Sequence, residues 1–197
     1  RQMLLAYRRI SALVDCPLHL GVTEAGLLDV STVKSSIGIG SLLAEGIGDT
    51  IRVSITGDPS DEVKVAQRIL SALELRRFET NVIACPSCGR CEIDVIGIAD
   101  EVQHRLVALS KTEPRCLDLT VAVMGCVVNG PGESEHADIG LAAGGGVGVI
   151  YRKGQQLRRV AESEMVDALL DEVQHLLAEG GCKLQASGFT SAATPAA

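Results

Sequence analysis

The chain has 197 residues, of which 46% are hydrophobic, and this is ample for a buried core in one large or two small domains. Its formal net charge is -7, and only 2% of its residues are aromatic. Nucleic-acid-binding proteins usually present a basic face and aromatic stacking platforms, so this composition argues against such a partner. A membrane-spanning protein is not expected either, because the sequence has no run of about 18 apolar residues.

The cysteine content indicates a reducing compartment. Seven cysteines at uneven spacing do not resemble the even-numbered framework of a small secreted protein, so we expect a cytoplasmic location. The sequence begins at Arg1 without a signal-like segment. We therefore expect that an initial segment was removed or that the chain is a fragment, in which case any targeting signal has been lost.

The first part of the sequence alternates predicted helices and strands. Apolar periodicity and helix-start signals, such as Asp58 followed by Pro59, predict helices over residues 2–14, 33–44 and 59–75. Alternation and β-branched residues predict strands over residues 18–23, 50–56 and 80–84. Short connections between such elements are typical of a parallel sheet with helical crossovers.

After residue 84 the pattern changes to that of a compact α+β unit. Here the sequence predicts helices over residues 93–109 and 163–179, strands over 117–124 and 138–142, a loop over 126–133, and a hairpin at Lys153 and Gly154. From residue 181 the Gly, Ala, Ser and Thr content predicts a disordered tail. The expected organisation is therefore a domain over residues 1–84, a second over 85–180 and a tail over 181–197.

The clearest functional motif is CPSC at residues 85–88. Cys85 and Cys88 directly follow a predicted strand, and their spacing lets two thiolates converge on one metal ion from a turn. Cys126 ends a second apolar run and is the best-placed third ligand. Glu133 lies in a segment of Asn, Gly and Pro, where a carboxylate has little purpose unless it is offered to a positive group.

Four motifs occur together in one order. They are LHLGVTEAG, DTIRVSIT, CPSC and GCVVNGPGE, and together they closely resemble 4-hydroxy-3-methylbut-2-enyl diphosphate synthase, the iron-sulfur enzyme family of the non-mevalonate isoprenoid pathway. The resemblance extends over about residues 1–178. It implies that residues 1–84 form the last strands of a TIM-type (β/α)8 barrel, with about five units lying before residue 1. A small α+β iron-sulfur cluster domain would follow.

The resemblance also implies a cofactor and its ligands. A [4Fe-4S] cluster would be held by Cys85, Cys88, Cys126 and Glu133. Glu133 would in addition be catalytic, because a carboxylate is a harder and more labile iron ligand than a thiolate and can vacate its position for substrate.

The remaining implied site residues lie mainly at predicted strand ends, where the active sites of TIM barrels are found. Thr23, Arg52 and Ser54 would bind the substrate, with Arg52 contacting diphosphate oxygens through charge-assisted hydrogen bonds. Glu24 would be a catalytic acid or orienting group. Asn129 would face the substrate from the cluster segment, although its side chain could instead only shape the turn.

The activity implied by the resemblance is the reductive ring opening and dehydroxylation of 2-C-methyl-D-erythritol 2,4-cyclodiphosphate to 4-hydroxy-3-methylbut-2-enyl diphosphate. Electrons would come from ferredoxin or flavodoxin. The family's cluster domain closes over the barrel of a second subunit, so a homodimer is also implied.

Alternatives to this ligand set stay open from the residues alone. Cys85, Cys88 and Cys91 repeat the first spacings of a bacterial ferredoxin, but no Cys-Pro follows three residues later, so we expect Cys91 to be a non-ligating neighbour. CPSCG is also a zinc-knuckle pattern, although the sequence has no second closely spaced pair of ligands. The alternative function is therefore an electron-transfer or zinc-stabilised binding module without its own catalysis.

Overall fold

The computed structural model describes residues 1–126, 128 and 130–180. These residues divide into two compact units, with the boundary between Phe78 and Glu79. The predicted tail over residues 181–197 lies outside the described residues. In the described part of the chain, no helix is both long and apolar enough to cross a membrane.

The first unit contains three helices and a two-stranded parallel sheet. In chain order its elements are α1 (Gln2–Ser11), β1 (His19–Gly21), α2 (Leu28–Ala44), β2 (Thr50–Arg52) and α3 (Pro59–Ala72). β1 and β2 pair in parallel with Leu20 opposite Ile51. Leu20 is fully buried and packs with Ile39 and Leu42 of α2, so this helix covers the sheet.

Local sequence signals account well for α3. The Asp58 carboxylate accepts a hydrogen bond of 2.8 Å from the Ser60 N–H, and Pro59 occupies the first helical position as predicted. α2, in contrast, begins at Leu28 and not at residue 33. Its polar first turns are compatible with a helix because their hydroxyls bond locally: Ser31 Oγ donates to Gly26 O and Thr32 Oγ1 donates to Leu28 O.

The second unit contains a five-stranded mixed sheet. Its strands are β3 (Asn81–Ala84), β4 (Thr120–Met124), β5 (Ile139–Gly144), β6 (Val147–Arg152) and β7 (Gln155–Ala161), and they lie in this order across the sheet. β3, β4 and β5 pair in parallel, whereas β6 and β7 are antiparallel. The hairpin predicted at Lys153 and Gly154 is the β6–β7 turn and is confirmed.

Helices cover both faces of the central strands. They are α4 (Val95–Ser110), α5 (Gly130–His136) and α6 (Met165–Ala178), with 3-10 turns at Pro114–Asp118 and Glu162–Glu164. Alternate residues of β4 explain this arrangement: Val121 and Val123 belong to the core formed with α4 and α6, whereas Ala122 and Met124 belong to a separate core on the other face. A strand buried on both faces is continuously apolar, as residues 120–124 are.

Three sequence predictions require correction in this unit. β3 pairs with β4, so the boundary lies before β3 and not after residue 84. Residues 130–136 form α5, although residues 130–133 are predicted to belong to a loop. β4 begins at Thr120 and not at residue 117, because Pro114–Asp118 form a 3-10 turn, in which the Arg115 N–H donates to the Glu113 carboxylate.

Candidate functional site

The predicted site residues form two groups, one in each unit. Both groups lie where parallel strands reach their carboxyl ends, and this is where ligands bind in parallel α/β sheets. The cysteines and Glu133 belong to the second unit, whereas Thr23, Glu24, Arg52 and Ser54 belong to the first. Asn129 lies outside the described residues.

In the second unit, strand pairing brings Cys85 next to the segment that carries Cys126. Ala84 is opposite Val123, and the Cys85 N–H extends the ladder by donating to Val123 O at 3.2 Å. The Gly125 N–H donates to Cys85 Sγ at 3.3 Å. This hydrogen bond ties the Cys85 sulfur to the backbone of the residue that precedes Cys126.

Cys88 lies in the turn that follows Cys85. Ser87, between the two predicted ligands, adopts a positive φ of 50°, and the Cys91 N–H donates to Cys88 O at 2.9 Å, so a tight turn over residues 88–91 begins at Cys88. Cys88 is exposed, whereas Cys85 and Cys126 are half-buried. Cys88 is therefore presented at the surface of the turn that follows β3.

Glu133 lies on α5, where its side chain is exposed. The buried face of α5 packs very closely on β5 through small residues. A Cβ added to Gly130 would lie 2.1 Å from Ala142 Cβ, and one added to Gly140 would lie 2.2 Å from Ser134 Oγ. Glycine at these positions thus lets the helix that carries Glu133 rest directly against the sheet.

The residues fit an iron-sulfur or other thiolate-bound group in ligand type and in strand position. Cys85, Cys88 and Cys126 supply soft thiolates, and Gly125 supplies a hydrogen-bond donor to one of them. Within the described residues, however, no three His, Cys, Asp or Glu side chains are already gathered at metal-binding distance. The predicted ligand set therefore stays a prediction.

In the first unit, Arg52 and Thr23 are in direct contact. Arg52 Nη2 donates to Thr23 Oγ1 at 3.0 Å, across the parallel pair formed by Gly21 and Arg52. A Cβ added to Gly21 would lie 3.1 Å from Arg52 Nη2, so the glycine leaves room for the guanidinium to lie across β1. Ser54 follows β2 and is half-buried.

Glu24 forms an ion pair with Lys34 of α2. Lys34 Nζ lies 2.9 Å from Glu24 Oε1, and this hydrogen bond and the charge of Lys34 lower the pKa of Glu24. Thr23, Glu24 and Lys34 line a cleft of about 480 Å³ whose other walls include the apolar side chains Met3 and Ile37. The cleft thus combines an ionised acid and a cation with an apolar wall.

The site residues predicted from the sequence include neither Lys34 nor Glu92. Lys34 lies in the predicted helix over residues 33–44 as well as in α2, but its contact with Glu24 depends on how the chain turns between β1 and α2. The Glu92 carboxylate accepts a hydrogen bond from the Gly145 N–H in the β5–β6 turn. No local signal indicates that contact, because the two residues are 53 positions apart.

Two models of known protein families match the chain, one in each unit. The model of the GcpE TIM-barrel domain matches residues 1–67, and the model of the GcpE protein C-terminal domain matches residues 81–175. The chain belongs to the GcpE family. The C-terminal GcpE model begins at the first residue of β3, in agreement with the placement of this strand in the second unit. The barrel model supports the predicted α/β class of the first unit.

Curated relatives are similar to this chain over most of its length. Three of them are from Geobacter sulfurreducens (53% identical over 174 residues, 88% of this chain), Symbiobacterium thermophilum (51% over 187 residues, 95%) and Clostridium tetani (50% over 175 residues, 89%). Each is named 4-hydroxy-3-methylbut-2-en-1-yl diphosphate synthase (flavodoxin). The matched region is 48% of each relative, so the chain spans about half the length of the curated relatives it matches.

Proposed function

We propose that the chain is part of an enzyme that converts 2-C-methyl-D-erythritol 2,4-cyclodiphosphate to 4-hydroxy-3-methylbut-2-enyl diphosphate. The reaction consumes two electrons and two protons, breaks one of the two C–O bonds that hold the cyclic diphosphate and releases one substrate hydroxyl as water. The names of the curated relatives support this activity. The same names support flavodoxin as the electron donor, with ferredoxin as the alternative, and the family resemblance supports a homodimer.

The observation that carries the proposal is the parallel pairing of β3 with β4. It sets Cys85 beside the Gly125–Cys126 end of the neighbouring strand, with a backbone N–H on the Cys85 sulfur. Cys85, Cys88, Cys126 and Glu133 would hold a [4Fe-4S] cluster. This group would supply single electrons and a Lewis-acidic iron for the departing oxygen.

The residues of the first unit would bind and orient the substrate. Arg52 presents a planar guanidinium that can pair with two diphosphate oxygens, and its hydrogen bond to Thr23 fixes its orientation. Ser54 would add a hydroxyl donor from the end of β2. The diphosphate would thus be held at the strand ends by one cation and two hydroxyl groups.

Glu24 would act on the substrate hydroxyl groups. Lys34 lowers the pKa of Glu24, so at neutral pH its carboxylate is ionised and accepts hydrogen bonds. An ionised carboxylate can orient a hydroxyl group of the substrate in the 480 Å³ cleft. Asn129 stays a proposed substrate contact on the basis of the resemblance alone.

Iron and acid-labile sulfide analysis tests the cofactor directly. After anaerobic reconstitution the 197-residue chain should hold about four irons and about four sulfides. Cys85→Ser should lose most of this iron, whereas the matched control Cys16→Ser, an exposed cysteine of the first unit, should keep it. A chain that retains only zinc, or equal iron in both variants, would refute the proposal and favour a zinc-stabilised binding module.

A further inference from the structure

We propose that Cys91 and Glu92 are positioning residues that fasten the Cys88 turn to the carboxyl ends of β4 and β5. The inference rests on the proposed function, because it concerns how one proposed cluster ligand is held before the cluster binds. Neither residue would itself be a ligand. Their contacts join the segment after β3 to two different neighbouring segments, so each contact can be tested separately.

Cys91 fills the space above Gly125. Its Sγ lies 2.3 Å from the position that a Cβ on Gly125 would occupy, so the sulfur rests directly on the glycine backbone. The Cys91 thiol donates to Ile93 O at 3.2 Å, and its N–H donates to Cys88 O at 2.9 Å. The residue thus packs against the β4 end while its backbone closes the turn that carries Cys88.

Glu92 makes the second connection. Its N–H donates to Gly125 O at 3.5 Å, and its carboxylate accepts from the Gly145 N–H of the β5–β6 turn. Gly145 and Gly146 have positive φ values of 61° and 74°, as a tight two-residue hairpin turn requires. This turn therefore directs an N–H group at the Glu92 carboxylate, and a hydrogen bond to an ionised acceptor is a strong one.

These connections matter because Cys88 itself is exposed. Its thiol must be held near Cys85 and Cys126 if three sulfurs are to bind one group, and ordering a loose segment upon binding weakens affinity. Removing residues that orient metal ligands typically lowers metal affinity about 10–100-fold. The proposal therefore predicts a loss of affinity without a loss of ligands.

The Glu92 connection is tested by titrating the metal-free chain with Co²⁺ and following thiolate-to-cobalt charge-transfer absorbance. Glu92→Ala should weaken the apparent Co²⁺ affinity about 10-fold, with unchanged absorbance per bound metal. Glu92→Gln retains an acceptor oxygen and should restore most of the affinity. The matched control is Glu101→Ala on the exposed side of α4, which should equal the wild type. Equal affinity in Glu92→Ala and wild type would overturn the proposal, as would a Gln variant no better than Ala.

The Cys91 contact is tested by a pair of substitutions. Gly125→Ala adds a carbon that collides with Cys91 Sγ and should weaken Co²⁺ binding. Adding Cys91→Ala removes that sulfur, so the double variant should bind better than Gly125→Ala alone, which is a non-additive effect. Additive effects would contradict the contact. Cys91→Ser should keep the absorbance per bound metal, and a reduced value would make Cys91 a ligand instead.

Hydrogen exchange separates this proposal from the proposed function. In the metal-free chain, Glu92→Ala should remove protection from the Gly145 amide, whereas Glu92→Gln and Glu101→Ala should not. Unchanged protection of the Gly145 amide in Glu92→Ala would refute the proposed positioning role of Glu92, whether or not the chain binds metal. If the wild-type chain took up neither Co²⁺ nor iron but its Gly145 amide were protected, the proposed function would be refuted. The contact between Glu92 and Gly145 would then be a structural one.

Discussion

Substitution of Ser134 tests how tightly α5, the helix that carries Glu133, packs on β5. Ser134 is fully buried, and within the described residues its Oγ has no hydrogen-bond partner. Burying an unsatisfied hydroxyl costs about 1–3 kcal/mol. Ser134→Ala removes only the hydroxyl oxygen. This change also removes a few weak contacts between that oxygen and the Gly140 backbone, each of about 0.1–0.2 kcal/mol. We therefore expect this variant to raise the free energy of unfolding of the second unit by about 1 kcal/mol.

Gly140→Ala is the matched opposite change at the same contact. Its new Cβ would lie 2.2 Å from Ser134 Oγ and 2.8 Å from Ser134 Cβ, distances that force α5 away from β5. Overpacking of this kind typically costs about 1–3 kcal/mol. The two variants should therefore change stability in opposite directions, although each alters a single small group.

Thermal unfolding followed by calorimetry measures both effects. For a unit of this size, about 1 kcal/mol corresponds to a shift of about 4–8 °C in Tm. The transition of the first unit should not move and is the internal control. A Ser134→Ala variant that melts several degrees below the wild type would show that the hydroxyl is bonded, for example to a buried water, and the reasoning would be wrong.

Four further predictions concern the proposed site and the first unit. Glu133→Ala should keep most of the bound iron, because three thiolates remain, while turnover of the full-length enzyme falls; iron analysis beside product assays would detect a failure in either part. Arg52→Lys keeps the charge but loses the planar fork, so it should raise KM for the cyclodiphosphate with an unchanged cluster absorption spectrum; unaltered kinetics would make Arg52 structural. Because pairing with Lys34 lowers the pKa of Glu24, the stability that this pair contributes is fully present above the unfolded-state pKa and is lost as the pH falls through the lower folded-state pKa. An NMR titration of the Glu24 carboxyl group should therefore show a low midpoint, and Lys34→Met should move that midpoint upward. Lastly, Val30, Val33 and Ile37 expose an apolar stripe on α2, so the isolated chain should self-associate and Val33→Glu should increase its monomer fraction in light scattering.

The elements that could be predicted from the sequence are those with local signals. α3 begins where Asp58 and Pro59 predict it, because the capping carboxylate, the proline and the N–H groups they affect lie within three residues of one another. The sequence does not predict the start of α2 at Leu28, and the reason is again local. Its first turns carry Asp29, Ser31 and Thr32, residue types that are more common at caps, and only their particular hydrogen bonds make them compatible with a helix.

Strand partners carry no comparable local signal. The sequence predicted a strand over residues 80–84, and the structure confirms it as β3, but nothing in those residues states that β3 pairs with β4 and not with β2. The partner is chosen by burial: β3 lies beside a strand that is covered on both faces, and Val82 packs against the same core as Val121. The error in the domain boundary is therefore an error about packing and not about secondary structure.

α5 shows how tertiary packing reverses a composition signal. Two glycines and a proline in residues 130–132 indicate a loop, because glycine destabilises an isolated helix by about 1 kcal/mol. Here Gly130 permits an approach to β5 that a larger residue would block, because a Cβ at this position would lie 2.1 Å from Ala142 Cβ. The helix therefore depends on the sheet for its stability, and its sequence alone predicts a loop.

Glu133 and Glu92 illustrate how far site residues can be found from the sequence alone. Glu133 was singled out because it stands in a distinctive short motif, whereas Glu92 stands in an ordinary polar stretch between a cysteine and the helix α4. The contact that gives Glu92 a role is made by a backbone N–H 53 residues away, and it exists because two glycines at positive φ turn that group toward the Cys88 segment. When a carboxylate is bound by a distant backbone N–H, the residue types next to it in the sequence do not indicate the contact. Residues that hold a ligand in place through such contacts therefore become visible only when the fold is known, even where the ligand itself is evident from the sequence.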